Sequence, residues 1–91
     1  MDYQWDPDKA AMNLKKHRVD FADAVGVFED EYALTVREDA RSPEQRIVTV
    51  GMDFLGRILT LVYTFRGEQV RLISARPSTR AERGEYERRR I

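Results

Sequence analysis

The sequence predicts an α+β domain with two N-terminal helices, a four-stranded antiparallel sheet with room for a fifth strand, and one C-terminal helix. Three observations carry that prediction. Apolar residues before Glu29 recur at helical spacing. From Tyr32 to Ala75 they fall in strand-length blocks rich in Val, Ile, Leu, Thr and Tyr. The chain then returns to a charged, helical pattern behind a capping sequence. Ninety-one residues, 42% of them hydrophobic, suit a single domain spanning 1–91 with one modest core.

Tyr3 to Trp5 reads as a short strand, the fifth if it joins the sheet. Asp6 and Pro7 then start a helix, an acidic N-cap followed by proline at the first helical position. That helix is expected to run to about Lys16 and to turn Ala10, Leu14 and His17 towards the core. Asp20 caps a second helix, in which Phe21, Ala24, Val25 and Phe28 form an apolar stripe, the clearest helical pattern in the chain.

Four strands follow: YALTV from Tyr32, RIVTVGM from Arg46, RILTLVYTF from Arg57 and QVRLISA from Gln69. The polar stretch EDARSPEQ links the first two, and DFLGR and RGEQ are short enough to be hairpins. Thr79 and Glu82 have the spacing of a capping box, which places the last helix from Arg80 to about Arg89.

Net charge is zero, yet residues 1–45 hold 6 Lys/Arg against 11 Asp/Glu, and residues 46–91 hold 10 against 5. All the cations of the second half are arginine, whose planar fork of donors matches phosphate. The asymmetry suggests a polyanion-binding side; ion pairing between the halves is the alternative. Without cysteine, neither disulfides nor thiolate metal sites can form, and the lone histidine and scattered carboxylates show no metal-ligand spacing. No glycine-rich phosphate loop is present. With no apolar run of signal-peptide or membrane-span length, the chain is expected in the cytoplasm and off the membrane.

The opening WDPDKAAMNLKKHRVDFADAVGVFED resembles that of BrnT toxins: a Trp-Asp pair, a lysine-rich first helix, a Lys-His-Gly-hydrophobic stretch and a Phe-led second helix. The closing VYTFRGEQVRLISARPSTRAERGEYE is similar to that family's last strands and helix. The resemblance implies a RelE-like fold and a ribonuclease that works without a metal or other cofactor. It also implies a BrnA-like antitoxin as partner, in a homodimer or a toxin–antitoxin hetero-oligomer. Two positions depart from the family pattern: Arg18 stands where glycine is usual, and Pro77 where a basic residue is more common. Arginine in a left-handed helix end costs roughly 1 kcal/mol, so either the first helix runs on or its turn is strained.

RNA cleavage of this kind needs a proton acceptor for the 2'-hydroxyl, cations for the crowded phosphate and a donor for the leaving 5'-oxygen. His17 is the candidate for proton transfer, although a histidine at a helix end can also serve as a cap. Arg71 and Arg76 are the candidate phosphate partners. They have opposite parity in QVRLISARP, so they share a face only if the strand bends at Ala75 or Pro77. Arg76 and Arg80 flank the last helix's N-terminus, a natural anion site. Lys16 and Arg46 are candidates to track RNA phosphates, with Arg57 and Arg66 weaker ones. Tyr63 is read as core, Tyr86 as the last helix's anchor, and Tyr3 and Trp5 as core or base-stacking residues. Phe54 and Leu55, apolar at a hairpin tip, suggest contact with a second subunit or the antitoxin; folding back onto the last helix is the alternative. A non-catalytic RelE-fold module, acting as a dimer or beside a DNA-binding antitoxin in operon repression, is the alternative function.

Overall fold

The computed structural model describes residues 2–39 and 44–91; residues 40–43, part of the expected loop EDARSPEQ, lie outside the described residues. In chain order come β1 (Asp2–Gln4), α1 (Pro7–His17), α2 (Phe21–Ala24), a 3₁₀ segment (Val25–Glu29), β2 (Leu34–Asp39), β3 (Arg46–Met52), β4 (Ile58–Arg66), β5 (Gln69–Pro77) and α3 (Arg80–Arg90). The strands form one sheet in the order β1-β5-β4-β3-β2. Its four long strands are antiparallel, and the short first strand adds beside β5 in parallel, Tyr3 opposite Val70. The fifth strand is therefore real but runs against the antiparallel expectation.

α1 starts as expected: the Asp6 carboxylate accepts the Asp8 N–H at 2.8 Å, and Pro7 occupies the first turn. It ends at Arg18, which adopts the left-handed conformation at φ 59° and donates its N–H to Leu14 O at 2.8 Å. The turn is thus the strained one. The core-facing set differs from the sequence expectation, because Asn13 is the buried residue of α1 while Leu14 is exposed. β1 stops at Gln4, opposite Arg71, so the outer edge of β5 is open beyond that point and its backbone groups need polar partners. Asn13 supplies them.

The second helix is also shorter than its apolar stripe implies. Regular α-helix lasts only from Phe21 to Ala24, capped by Asp20, before tightening to 3₁₀ geometry. Val25, Gly26 and Val27 are weak helix formers. Gly26 is also covered by the β3–β4 hairpin, where a Cβ would lie 2.5 Å from the Phe54 backbone nitrogen. That hairpin docks on α2 through Phe54 N–H to Asp23 O at 3.2 Å, so its tip folds towards α2 rather than α3.

One sheet face packs Ile47, Leu59, Leu61, Tyr63, Val70, Leu72 and Ala75 against Val19, Phe21, Ala24 and Val27. Tyr3 stacks on Phe28 and Trp5 meets Phe21 edge to face, which makes both N-terminal aromatics part of this layer. Tyr63 is buried too, its hydroxyl 2.9 Å from Thr49 Oγ1. On the opposite face Tyr86 holds α3 against Val50 and Ile58. Its hydroxyl donates to Asp30 at 2.7 Å, and burial with that carboxylate beside it pushes the Tyr86 phenol up to about 12. No helix is long and apolar enough to cross a membrane among the described residues.

Candidate active site

The position of every candidate on β5 depends on one irregularity. Its pairing with β4 runs Thr64 to Arg71 and Tyr63 to Leu72, then jumps to Val62 with Ser74, Leu61 with Ala75 and Thr60 with Arg76. Ile73 is therefore an extra residue, a β-bulge that resets the alternation of side chains. Directly paired residues lie on the same face, so Arg71, Ser74 and Arg76 share the face of Thr60, Val62 and Thr64. The two arginines share a face, by a bulge at Ile73 rather than a bend at Ala75 or Pro77. Leu72 and Ala75, three apart but both in the core, are the mark it leaves in the sequence.

Arg46 joins that face through its alternation with Val48, which pairs with Val62. So does Arg37, opposite Val48 on β2, which the sequence reading did not single out. Neither Arg46 nor Arg37 has an ion-pair partner among the described residues. Arg71 is half-buried, and its guanidinium reaches Gln4 Oε1 at 3.5 Å, a long bond to a neutral group that leaves its charge uncompensated.

Arg76 is held differently. It makes a two-pronged pair with Glu82, 2.8 Å to Oε1 and 3.0 Å to Oε2. Glu82 also accepts the Thr79 N–H and the Thr60 hydroxyl, completing the capping box, and these donors pull its carboxyl down to about 2. The anion site at the start of α3 is thus filled by the protein's own carboxylate, and Arg80 is exposed beside it. Arg57 pairs with buried Asp53 and donates to Arg18 O, and Arg66 pairs with Glu44, so both brace loops.

Lys16 and His17 lie elsewhere, on a groove of about 730 Å³ between α1 and the open edge of β5. Lys9, Lys15, Lys16 and His17 line it from the helix, Ile73 and Ser74 from the strand, with Met12 and Asn13 between. The helix end is closed by the Arg18 N–H and not by the imidazole, which lies half-buried on the groove. Ser74 belongs to both surfaces, so it joins the helix-borne lysines and histidine to the arginine face. A serine inside an apolar strand is the only sequence signal for it. Among the described residues no cluster of His, Cys, Asp or Glu is arranged to hold a metal ion.

Residues 5–82 match the family model described as the ribonuclease toxin BrnT of type II toxin–antitoxin systems. The chain belongs to the BrnT ribonuclease toxin family. The crystal structure of the Brucella abortus ribonuclease toxin BrnT superposes with a TM-score of 0.69 at 25% identity, covering 88% of this chain and 99% of that one. The α+β architecture with its mostly antiparallel sheet is thus the BrnT fold. No curated protein matches the chain. Membership attaches ribonuclease activity and an antitoxin partner to the family as a whole; the BrnT family model stops at Glu82, the residue that locks Arg76.

Proposed function

We propose that the chain is a metal-independent endoribonuclease toxin that cuts RNA to arrest translation and growth and is neutralised by a BrnA-like antitoxin. The observation that carries this reading is the bulge at Ile73, which gathers Arg71, Ser74 and Arg76 on one face beside the groove holding Lys16 and His17. Arg46, Lys16 and Arg80 guide the RNA strand through its phosphates. Arg71, which pairs with no carboxylate among the described residues, stabilises the charge that gathers on the phosphate oxygens in the transition state. Arg76 presents the donors that Glu82 does not use.

In the reaction the ribose 2'-oxygen attacks the adjacent phosphorus, the bond to the 5'-oxygen breaks, and a cyclic phosphate and a free 5'-hydroxyl result. His17 moves one of the two protons involved. The second proton is exchanged with solvent water.

Purified, antitoxin-free protein is expected to cut single-stranded RNA equally well with and without EDTA. Arg71→Ala is expected to slow cleavage by about 100-fold, the loss typical of one transition-state charge partner. Intact RNA after incubation with the parent chain, or parental rates from both Arg71→Ala and Arg76→Ala, would sink the assignment. The exposed Phe54 and Leu55 at the β3–β4 tip favour protein contact as well. Expression separates the two roles: a toxin arrests growth unless its antitoxin is co-expressed, whereas a non-catalytic module does not.

A further inference from the structure

Asn13 is the one buried polar residue of α1, and its side-chain amide is fully committed. Its Nδ2 donates to Val19 O at 3.0 Å and to Ala75 O at 2.8 Å, while Oδ1 accepts the Ala75 N–H at 3.1 Å. The amide thus pairs with Ala75 as a neighbouring strand would, on the edge that β1 leaves open after Arg71. One contact joins two short levers. Four residues along α1 from Asn13 is His17, and Ala75 sits between Ser74 and Arg76. The bond to Val19 O also ties down the chain just after the left-handed turn at Arg18.

From this geometry we infer that Asn13 is a positioning residue for RNA cleavage, setting the imidazole of His17 against Ser74 and Arg76. The inference rests on the ribonuclease reading above. With both amide hydrogens and an oxygen lone pair engaged, Asn13 has no donor left for substrate, so it acts through the groups it places. Without the clamp, α1 is held to β5 only by side-chain packing, and a displacement of about 1 Å at a reacting group can lower a rate by about 100-fold.

The test is a double-mutant cycle on single-stranded RNA cleavage with Asn13→Ala, His17→Ala and the double variant, each confirmed folded by circular dichroism. Asn13→Ala is expected to lower kcat by about 10- to 100-fold with KM changed less than about threefold, because the lysine rim that binds phosphates is intact. In the His17→Ala background the same substitution is expected to change kcat less than about twofold. Should Asn13→Ala fail to fold, Asn13→Asp carries the cycle: it has the same size, keeps the acceptor for the Ala75 N–H and loses both donors. An equal loss in both backgrounds overturns the inference and leaves the ribonuclease reading standing. Parental activity in His17→Ala, or no cleavage by the parent, removes His17 from the chemistry and takes the inference with it.

Discussion

Arg18 occupies left-handed backbone that glycine enters freely and arginine does not. Among the described residues its side chain makes no bond that offsets the strain; the contact here is Arg57 donating to its carbonyl, which any residue would offer. Arg18→Gly is expected to stabilise the fold by about 0.5 to 1 kcal/mol, read as a shift in the urea midpoint. Glu82 supplies a second prediction at this scale. Its folded pKa of about 2 lies below the ordinary 4.5, so its contribution is fully present above pH 4.5 and lost as pH falls through about 2. With both partners less than a third exposed, that contribution is on the order of 2 kcal/mol. Glu82→Gln is expected to lower stability at neutral pH and to flatten the acid limb between pH 4.5 and 2 in a denaturant titration. The types of the candidate residues were legible in the sequence, their partners were not. Arg71 and Arg76 read alike, yet one faces a neutral amide and the other a carboxylate. Asn13 passed unnoticed because an asparagine inside a charged helix looks solvated.

At the scale of elements, caps and strand blocks were readable because their causes are local: Asp6, Asp20 and Thr79 each accept a backbone N–H of the helix they start. What could not be read were features imposed by a neighbour. The bulge at Ile73 follows from placing both Leu72 and Ala75 in the core. The truncation of α2 follows from the β3–β4 hairpin pressing on Gly26. Gly26→Ala makes this last claim testable. Its Cβ would fall 2.5 Å from the Phe54 nitrogen, so the hairpin has to move, and a loss of about 1 to 3 kcal/mol in thermal or urea unfolding is expected. An unchanged melting point would show that the tip is not seated there.

Across the whole molecule, most of the described ion pairs lie within one half of the chain. Arg57, Arg76, Arg83 and Arg88 pair with carboxylates of their own half, and only Arg66 reaches across, to Glu44, among the described ion pairs. Among the described residues Arg46 and Arg71 have no carboxylate partner, and with Lys16 on the groove they are the cations proposed to meet an external anion. If each of these three displaces counterions from single-stranded RNA, log Kd should rise with log salt with a slope of about 2, and Arg71→Ala should lower that slope by about 0.7. Filter binding of a non-cleavable RNA from low to moderate salt measures both. A slope unaffected by Arg71→Ala would place the phosphates elsewhere.

The bond between Asn13 and Ala75 also sets an order of assembly. On a ribosome the N-terminal strand and first helix emerge early and can meet Phe21 and Phe28, but they have no sheet edge to dock on until β5 has left the exit tunnel. Because β1 and Asn13 both bind β5, the arginine face and the histidine groove meet only once β5 is available. A chain stalled or cut short before β5 would carry Lys16 and His17 without Arg71, Ser74 or Arg76. A copy without β5 would therefore hold only one half of the candidate site.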